Sequence, residues 1–505
     1  MRIWINFVAE FLMKVKQLQP FHVLIYLAGI LVLLTGISFL VKGDKIDLFG
    51  LDVRFLTFNE ALTPPKAVEK KDITNIVQVD TMNIERASAD TTIKNTFESD
   101  GKMGAPAGGT LSAEAATTIQ YNEKGQQALH LFFEKLEAAA NGKKVRILHY
   151  GDSQIEGDRM TSYIRQRLQS QFGGFGPGTI PAKNEYNTIT FKQTCSPNFT
   201  RYTAFGGASL KSRKYGSMNT AARFTPEMDS SQMAASTSIK EAFIEIEPTK
   251  TAYSRARSYN HAKMFYTSCF KPCKIKVYNG TTLVHEDSLE NDGKYHVLSL
   301  EFPSTPNKLR YEFSASVSPT IIGFSLESDY GVFVDNIGMR GSSGTFFGKI
   351  DHNLASKMYA DLNVEMVIMQ FGGNGVPYMS DSSSVRRYAK QFKGQLYTIK
   401  KLRPSASILV IGPSDMSMQS VAGRVTYKML PFLVQEMTKV SKEVGACYWD
   451  LFSAMGGENS MPSWVEKGLA GNDYIHFTNR GASIASQLFF DALAAEYVKW
   501  KQRAQ

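Results

Sequence analysis

Two regions of the chain alternate short apolar runs with helical patterns, and a long block of different texture separates them. In the first, "GQQALHLFFEKLEAAANG" places Leu129, Leu131, Phe132, Phe133 and Leu136 on one helical face and closes at Gly142. The apolar strand "KVRILHY" follows, then a turn and a second helix, "DRMTSYIRQRLQSQFGG". The second region starts with the buried-type strand "VEMVIMQFGGN" and an amphipathic segment to "YTIKKLRP". It continues through "SASILVIGP", another helix, "GACYWDLF" and a last helix, "RGASIASQLFFDALAAEYVKW". Such alternation builds a parallel sheet with helices on both faces.

The block between them, 188–328, consists of short alternating runs: "EAFIEIEP", "CKIKVYNGTTLVHED", "KYHVLSLEFP" and "KLRYEFSAS". Tyr278-Asn279-Gly280-Thr281 reads as a two-residue Asn-Gly hairpin. Strands at this spacing, with little helical pattern, predict a β-sandwich. The expected architecture is an α/β domain made of 119–187 and 329–505 and interrupted by that sandwich; a host fold tolerates an insertion whose ends lie close together.

The N-terminus is read separately. Residues 21–41, "FHVLIYLAGILVLLTGISFLV", carry His22 as their one titratable side chain and are long enough as a helix to cross a bilayer. No small-residue cleavage site follows, so an uncleaved transmembrane anchor is expected rather than a signal peptide. Arg2, Lys14 and Lys16 before the span place 1–20 in the cytoplasm. The remainder then lies in the periplasm, with the protein in a bacterial inner membrane. Residues 42–118, rich in Ala, Ser, Thr and Gly, are expected to be a flexible linker.

Four cysteines suit an exported protein. Cys269 and Cys273 flank "FKP" and can bridge across a turn, while the pairing of Cys195 and Cys447 stays open. Without nearby histidines they make a poor zinc site. The net charge of +10 fits an anionic neighbourhood such as cell wall. The basic residues are scattered and not interleaved with aromatics, which argues against a nucleic-acid partner.

Chemistry is concentrated at "GDSQIEGDRM", where Ser153 follows a buried strand. A serine hydroxyl needs a base and a group that orients the base. Of eight histidines, His130, His149, His261, His285 and His296 fall on expected helices or strands or within the β block and read as structural. His476 differs, because "GNDYIHFTNRG" sets Asp473 three residues before it in a loop ahead of the last helix. Donors for an oxyanion are available at two strand ends, the backbone around Gly341 in "VDNIGMRGSSG" and the side chain of Asn374 in "MQFGGNG". "GGFGPG", 173–178, follows a helix, so it is no dinucleotide fingerprint; a loop near the active-site rim is expected there.

Gly-Asp-Ser at Ser153, Asn-x-x-x-x-Gly at Gly341, Gly-Gly-Asn at Asn374 and Asp-x-x-His at His476 together resemble the four blocks of the SGNH (GDSL-type) hydrolases. The resemblance implies a three-layer α/β/α, flavodoxin-like domain. In it Ser153 is nucleophile, His476 general base and acid, Asp473 its orienter, and Ser153, Gly341 and Asn374 form the oxyanion hole. Ile155, two residues past the serine, excludes the Gly-x-Ser-x-Gly elbow of α/β-hydrolases. "GDSQIEGDRMTSYIRQRLQSQFGGFGPG" and "YWDLFSAMGGENSMPSWVEKGLAGNDYIHFTNRG" look like the branch of bacterial peptidoglycan O-acetylesterases, whose members carry an inserted, jelly-roll-like carbohydrate-binding module. Gln154, in place of a frequent His, and Gly375, in place of an acidic residue, depart from the pattern. The implied activity is removal of O-acetyl groups from a cell-envelope glycan, without metal or organic cofactor. The alternatives are an O-acetyltransferase using the same residues and a non-catalytic glycan-binding protein.

Overall fold

The computed structural model describes residues 20–41, 45–48, 51–54, 70–77 and 118–503. The chain divides into two compact units. The N-terminal unit holds the helix Pro20–Val41 and a hairpin in which Lys45–Leu48 pairs antiparallel with Leu51–Arg54. The expected anchor is thus helical, with Phe21, Leu24, Tyr26 and Val32 exposed. Among the described residues no helix is long and apolar enough to cross a membrane, so the expected transmembrane span is not supported.

The α/β domain of the larger unit grows from apolar strands flanked by amphipathic helices. Helix α1, Glu123–Ala140, is capped by Asn122, whose side chain accepts from the Gly125 N–H, and it buries Leu129, Phe132, Phe133, Leu136 and Ala139. Strand β1, Lys144–Gly151, is buried at every position after its first. A strand buried on both faces belongs inside a parallel sheet. It is followed by α2, Thr161–Phe172, and after the insertion by β2, Gly331–Gly338, and α3, His352–Asp361. Then come β3, Val364–Gln370; α4, Ser382–Leu402; β4, Ser407–Ile411; α5, Leu430–Val444; β5, Cys447–Trp449; and α6, Asn479–Arg503.

The sheet order is β2-β1-β3-β4-β5, all parallel, with Ile119–Gln120 added antiparallel to β5. Side chains of α1, α2 and α6 pack on one face and those of α3, α4 and α5 on the other. This is the flavodoxin-like order, and its direction reverses between β1 and β3. A crevice therefore opens beyond the carboxyl ends of those two strands, where Ser153 and Asn374 lie.

The insertion is a sandwich of two antiparallel sheets. One runs His296–Glu301, His261–Thr267, Thr320–Glu327, Thr220–Arg223, Thr200–Thr203, with Gly178–Pro181 also paired to Thr320–Glu327. The other runs Thr282–Ser288, Cys273–Asn279, Leu309–Ala315, Lys240–Pro248, Phe191–Cys195. Strand pairing of the insertion thus begins at Gly178, upstream of residue 188. In the hairpin the last pair is Asn279↔Thr282, after a register shift at Val277/Tyr278, so the turn is Gly280-Thr281 rather than Asn279-Gly280. Gly280 takes φ +61 at the first turn position, as a II′ turn requires.

The sandwich is bound to its host by apolar and ionic contacts. Tyr202, Leu210, Met218, Phe265 and Ile322 share a core with Leu148, Tyr150, Met358 and Tyr359. At the amino end of β1, the buried Arg146 donates to Glu327 at 2.5 Å and Asp335 at 2.7 Å, and Lys144 and Lys263 each reach Glu327 at 2.7 Å. The GGFGPG loop lies at this end: Gly176 and Gly178 have positive φ, and a Cβ on them would come within 2.3 Å of the Leu326 carbonyl and the Asp335 carboxylate. The loop is a joint between host and insertion, at the opposite end of the sheet from Ser153, and not part of the rim.

Two further expectations change. Cys269 and Cys273 are free thiols buried in the sandwich core, with no disulfide between them. Burial pushes both thiols up, to about 11 and about 12. Within the stretch read as linker, 70–77 is docked: Ile73 is 2% exposed, Lys70 pairs with Glu466 at 2.9 Å, and Ser463 donates to the Lys71 carbonyl at 2.5 Å. Residues 78–117 lie outside the described residues.

Candidate active site

The chain leaves β1 through Gly151, where any Cβ would lie 2.8 Å from Ile155. The tight exit sets up an Asx turn in which Asp152 Oδ1 accepts the Gln154 N–H at 2.9 Å. Ser153 sits in the middle of that turn, and its Oγ is 2.7 Å from His476 Nε2. His476 Nδ1 is 2.7 Å from Asp473 Oδ2, while Asp473 Oδ1 accepts the N–H groups of Ile475 at 3.0 Å and His476 at 3.1 Å. One carboxylate oxygen shapes the loop and the other holds the imidazole. Burial pushes Asp473 up, but the hydrogen bonds from the His476 ring, the His476 N–H and the Ile475 N–H outweigh it and hold the carboxyl below its ordinary value. An ionised Asp473 keeps the proton on Nδ1, which leaves Nε2 free to accept from Ser153.

The histidine loop is tied down from the serine turn. Gln154 donates from Nε2 to the Ile475 carbonyl at 2.7 Å and accepts the Phe477 N–H at 3.3 Å. Arg159 donates to the Phe477 carbonyl at 3.0 Å and to the Ser153 carbonyl. The loop closes on itself through Gly471 N–H to the His476 carbonyl at 2.8 Å.

Asn374 follows β3 through Gly372, whose φ of +126 is left to glycine, and is the second residue of the 3₁₀ turn Gly373–Tyr378. Its amide donates to Asp152 Oδ2 and to the Ser342 carbonyl, each at 3.1 Å. Burial raises Asp152 to about 6, against the pull of the Gln154 N–H, His476 and Asn374. Gly341, after β2, has φ +75 and lines a cleft of about 660 Å³ together with Ser153, Asn374 and His476. The same Ser153, Asn374 and His476 line a second cavity of about 170 Å³ with Gly373, Tyr378, Pro413 and Met416. The serine thus stands at a waist between two spaces. All five residues singled out in the sequence meet at this crevice.

No protein-family model and no curated protein matches the chain. Among solved structures, a peptidoglycan O-acetylesterase aligns over 72% of this chain and 95% of its own, with 20% identity and a TM-score of 0.58. The two share a fold. A family two carbohydrate esterase from Cellvibrio japonicus aligns over 62% of this chain and 99% of its own at 8% identity, but its TM-score is 0.25. An acetyl xylan esterase aligns over 32% and 81% at 13% identity, again with a TM-score of 0.25. These last two are too distant in shape to carry an argument.

Several residues that were given no role in the sequence reading shape the site. Asn336, the first residue of its block, donates to the Ile155 carbonyl at 2.9 Å and to Thr161 Oγ1 at 2.8 Å, so β2 braces the serine turn. Asn187 and Ile189, from the entry segment of the insertion, line the larger cleft. Arg340 lines it too, held by Glu156 at 2.6 Å and stacked on Tyr186 at 4.3 Å. His149, read as structural, is fully buried between Gln370 and Thr161, and burial lowers its pKa to about 4. Among the described residues, His261, Glu301 and Asp329 are close enough to share an ion, but the two imidazole nitrogens face different carboxylates, an ion-pair bracket on the insertion.

Proposed function

We propose that the protein is a serine esterase that removes O-acetyl groups from a cell-envelope polysaccharide, with peptidoglycan the first substrate to test. The observation that carries this reading is the unbroken Ser153–His476–Asp473 relay, 2.7 Å at each link, at the switch point of the sheet. Ser153 Oγ attacks the acetyl carbonyl carbon as its proton passes to His476 Nε2. The oxyanion is met by the backbone N–H groups of Ser153 and Gly341 and by the Asn374 amide, one of whose protons is then shared with its present protein acceptor. His476 returns the proton to the sugar oxygen, the C–O bond breaks, and acetyl-Ser153 remains. Water, deprotonated by His476, attacks this ester, and the proton returns to Ser153 as acetate leaves.

Two features favour a glycan and hydrolysis. The larger cleft is open, with the polar side chains of Asn187, Arg340 and Asn479 on its walls, and it admits both a sugar chain and water. The fold match to a peptidoglycan O-acetylesterase points to the same substrate class. With that substrate the catalytic unit works outside the cytoplasm. Acetate release from O-acetylated peptidoglycan by the wild type, and its absence with Ser153→Ala, is the expected result. Acetyl transfer onto a chito-oligosaccharide exceeding acetate release would replace the esterase with a transferase. Retention on glycan without any ester cleavage would replace it with a binding protein.

A further inference from the structure

Tyr378 is 85% exposed, the largest exposure of any described aromatic side chain, yet it lines the smaller cavity beside Ser153, Asn374 and His476. It closes the same 3₁₀ turn that carries Asn374, and Pro377 fixes the backbone just before it. Neither a ring nor a cation covers it among the described residues, whereas Tyr186 is capped by Arg340 at 4.3 Å. Its neighbour Tyr388 shows what a structural tyrosine looks like here: 8% exposed, with its hydroxyl donating to the Ser343 carbonyl at 2.9 Å. Tyr378 does nothing comparable for the fold. An aromatic ring with few rotatable bonds, left bare at a cavity mouth, is built for contact with a ligand.

We propose that Tyr378 is the stacking platform of a sugar subsite, taking the apolar C–H face of a pyranose next to the acetylated residue. The inference rests on the glycan esterase reading and specifies how the chain lies. One side of the waist offers the Tyr378 ring, and the other offers Asn187, Ile189 and Arg340. A polysaccharide crossing Ser153 touches both, so the enzyme works on residues inside a chain.

The test compares kcat/KM on O-acetylated peptidoglycan with kcat/KM on ethyl acetate, which has no ring to stack. Tyr378→Ala is expected to lower the glycan-to-ethyl-acetate ratio about fivefold, through KM on the glycan with kcat retained. Tyr378→Trp is expected to restore the ratio. An unchanged ratio, an equal fall on both substrates, or failure of Trp to rescue would overturn the platform while leaving the esterase intact. A wild type that cleaves neither substrate overturns the esterase reading itself, and the platform with it.

Discussion

The two ends of β1 use the same ingredients, a carboxylate and a cationic or imidazole partner, to opposite purposes. At the amino end, Arg146, Glu327 and Asp335 are fully buried, and Glu327 is met by three cations. Burial pushes Glu327 up, but Arg146, Lys263 and Lys144 hold it well below the ordinary carboxylate range. At the carboxyl end, Asp473 and His476 form a single 2.7 Å link and keep 47% and 38% of their side chains exposed. Multiply paired buried charges are fixed in one protonation state, while a half-exposed pair can take up and release a proton within a reaction cycle. Position on the sheet decides between a joint and a relay.

The sharpest way to break this contrast is at the relay. Ser153→Ala and His476→Ala should each lower acetate release at least about 10⁴-fold, and the double variant should be no worse than either single, because the two act as a unit. Thermal unfolding should change little, since both side chains lie at the crevice. Multiplicative losses, measured as kcat on the acetylated glycan, would show that the residues do not act together.

At the joint the signs reverse. Glu327→Gln should destabilise the fold by about 3–5 kcal/mol, because Lys144 and Lys263 lose their carboxylate and the buried Arg146 keeps only that of Asp335. Active molecules that remain folded should keep their kcat, since Glu327 is at the far end of β1 from Ser153. The wild-type carboxylate, depressed below 4.5, contributes its stability fully above that value and loses it as pH falls below. The difference in melting temperature between wild type and variant should therefore shrink in acid; a difference independent of pH would refute the ionic role.

Asp152 stands between the two cases, buried like the joint but bonded to the site. Asp152→Asn turns an acceptor for Asn374 into an amide that faces another amide, and kcat should fall about 10²-fold as Asn374 loses its orientation. The stability effect has its own sign. The folded value of about 6 lies above 3.8, so the folded state holds the proton longer, and wild-type stability declines as pH rises from about 4 to about 6. Melting curves of the variant should lack that part of the decline.

These contrasts also show which parts of the structure are legible in the sequence. Ser153, Gly341, Asn374 and the Asp473/His476 pair could be found because each sits in a short motif at a strand end or before a helix. Alternation gives a parallel sheet covered by helices on both faces, while the flavodoxin-like arrangement was implied only by the family resemblance. What escaped depends on contacts far apart in the chain. The entry of Asn187 and Ile189 into the cleft, the docking of Ile73, and the Arg146–Glu327–Asp335 joint leave no periodic trace. The glycines of 173–178 were visible, but their partners, Leu326 and Asp335, were not, so the loop was expected at the wrong end of the sheet. The apolar run at 21–41 is legible as a helix, which the structure places at Pro20–Val41.

Gln154 joins these themes with the smallest expected effect. It was visible in the sequence only as a departure from a frequent His. In the structure its amide spans the serine turn and the histidine loop, donating to the Ile475 carbonyl and accepting from the Phe477 N–H on either side of His476. Removing it leaves Arg159 and the loop's own Gly471–His476 bond in place, so the loop should loosen rather than detach. Gln154→Ala should lower kcat about tenfold, a misplacement effect smaller than loss of a relay member. Gln154→Glu keeps an acceptor for the Phe477 N–H but loses the donor to Ile475, so it should retain part of the deficit. A Gln154→Ala enzyme as fast as wild type would show that Asp473 and Arg159 alone position His476, and that the relay needs no brace from the turn that carries its serine.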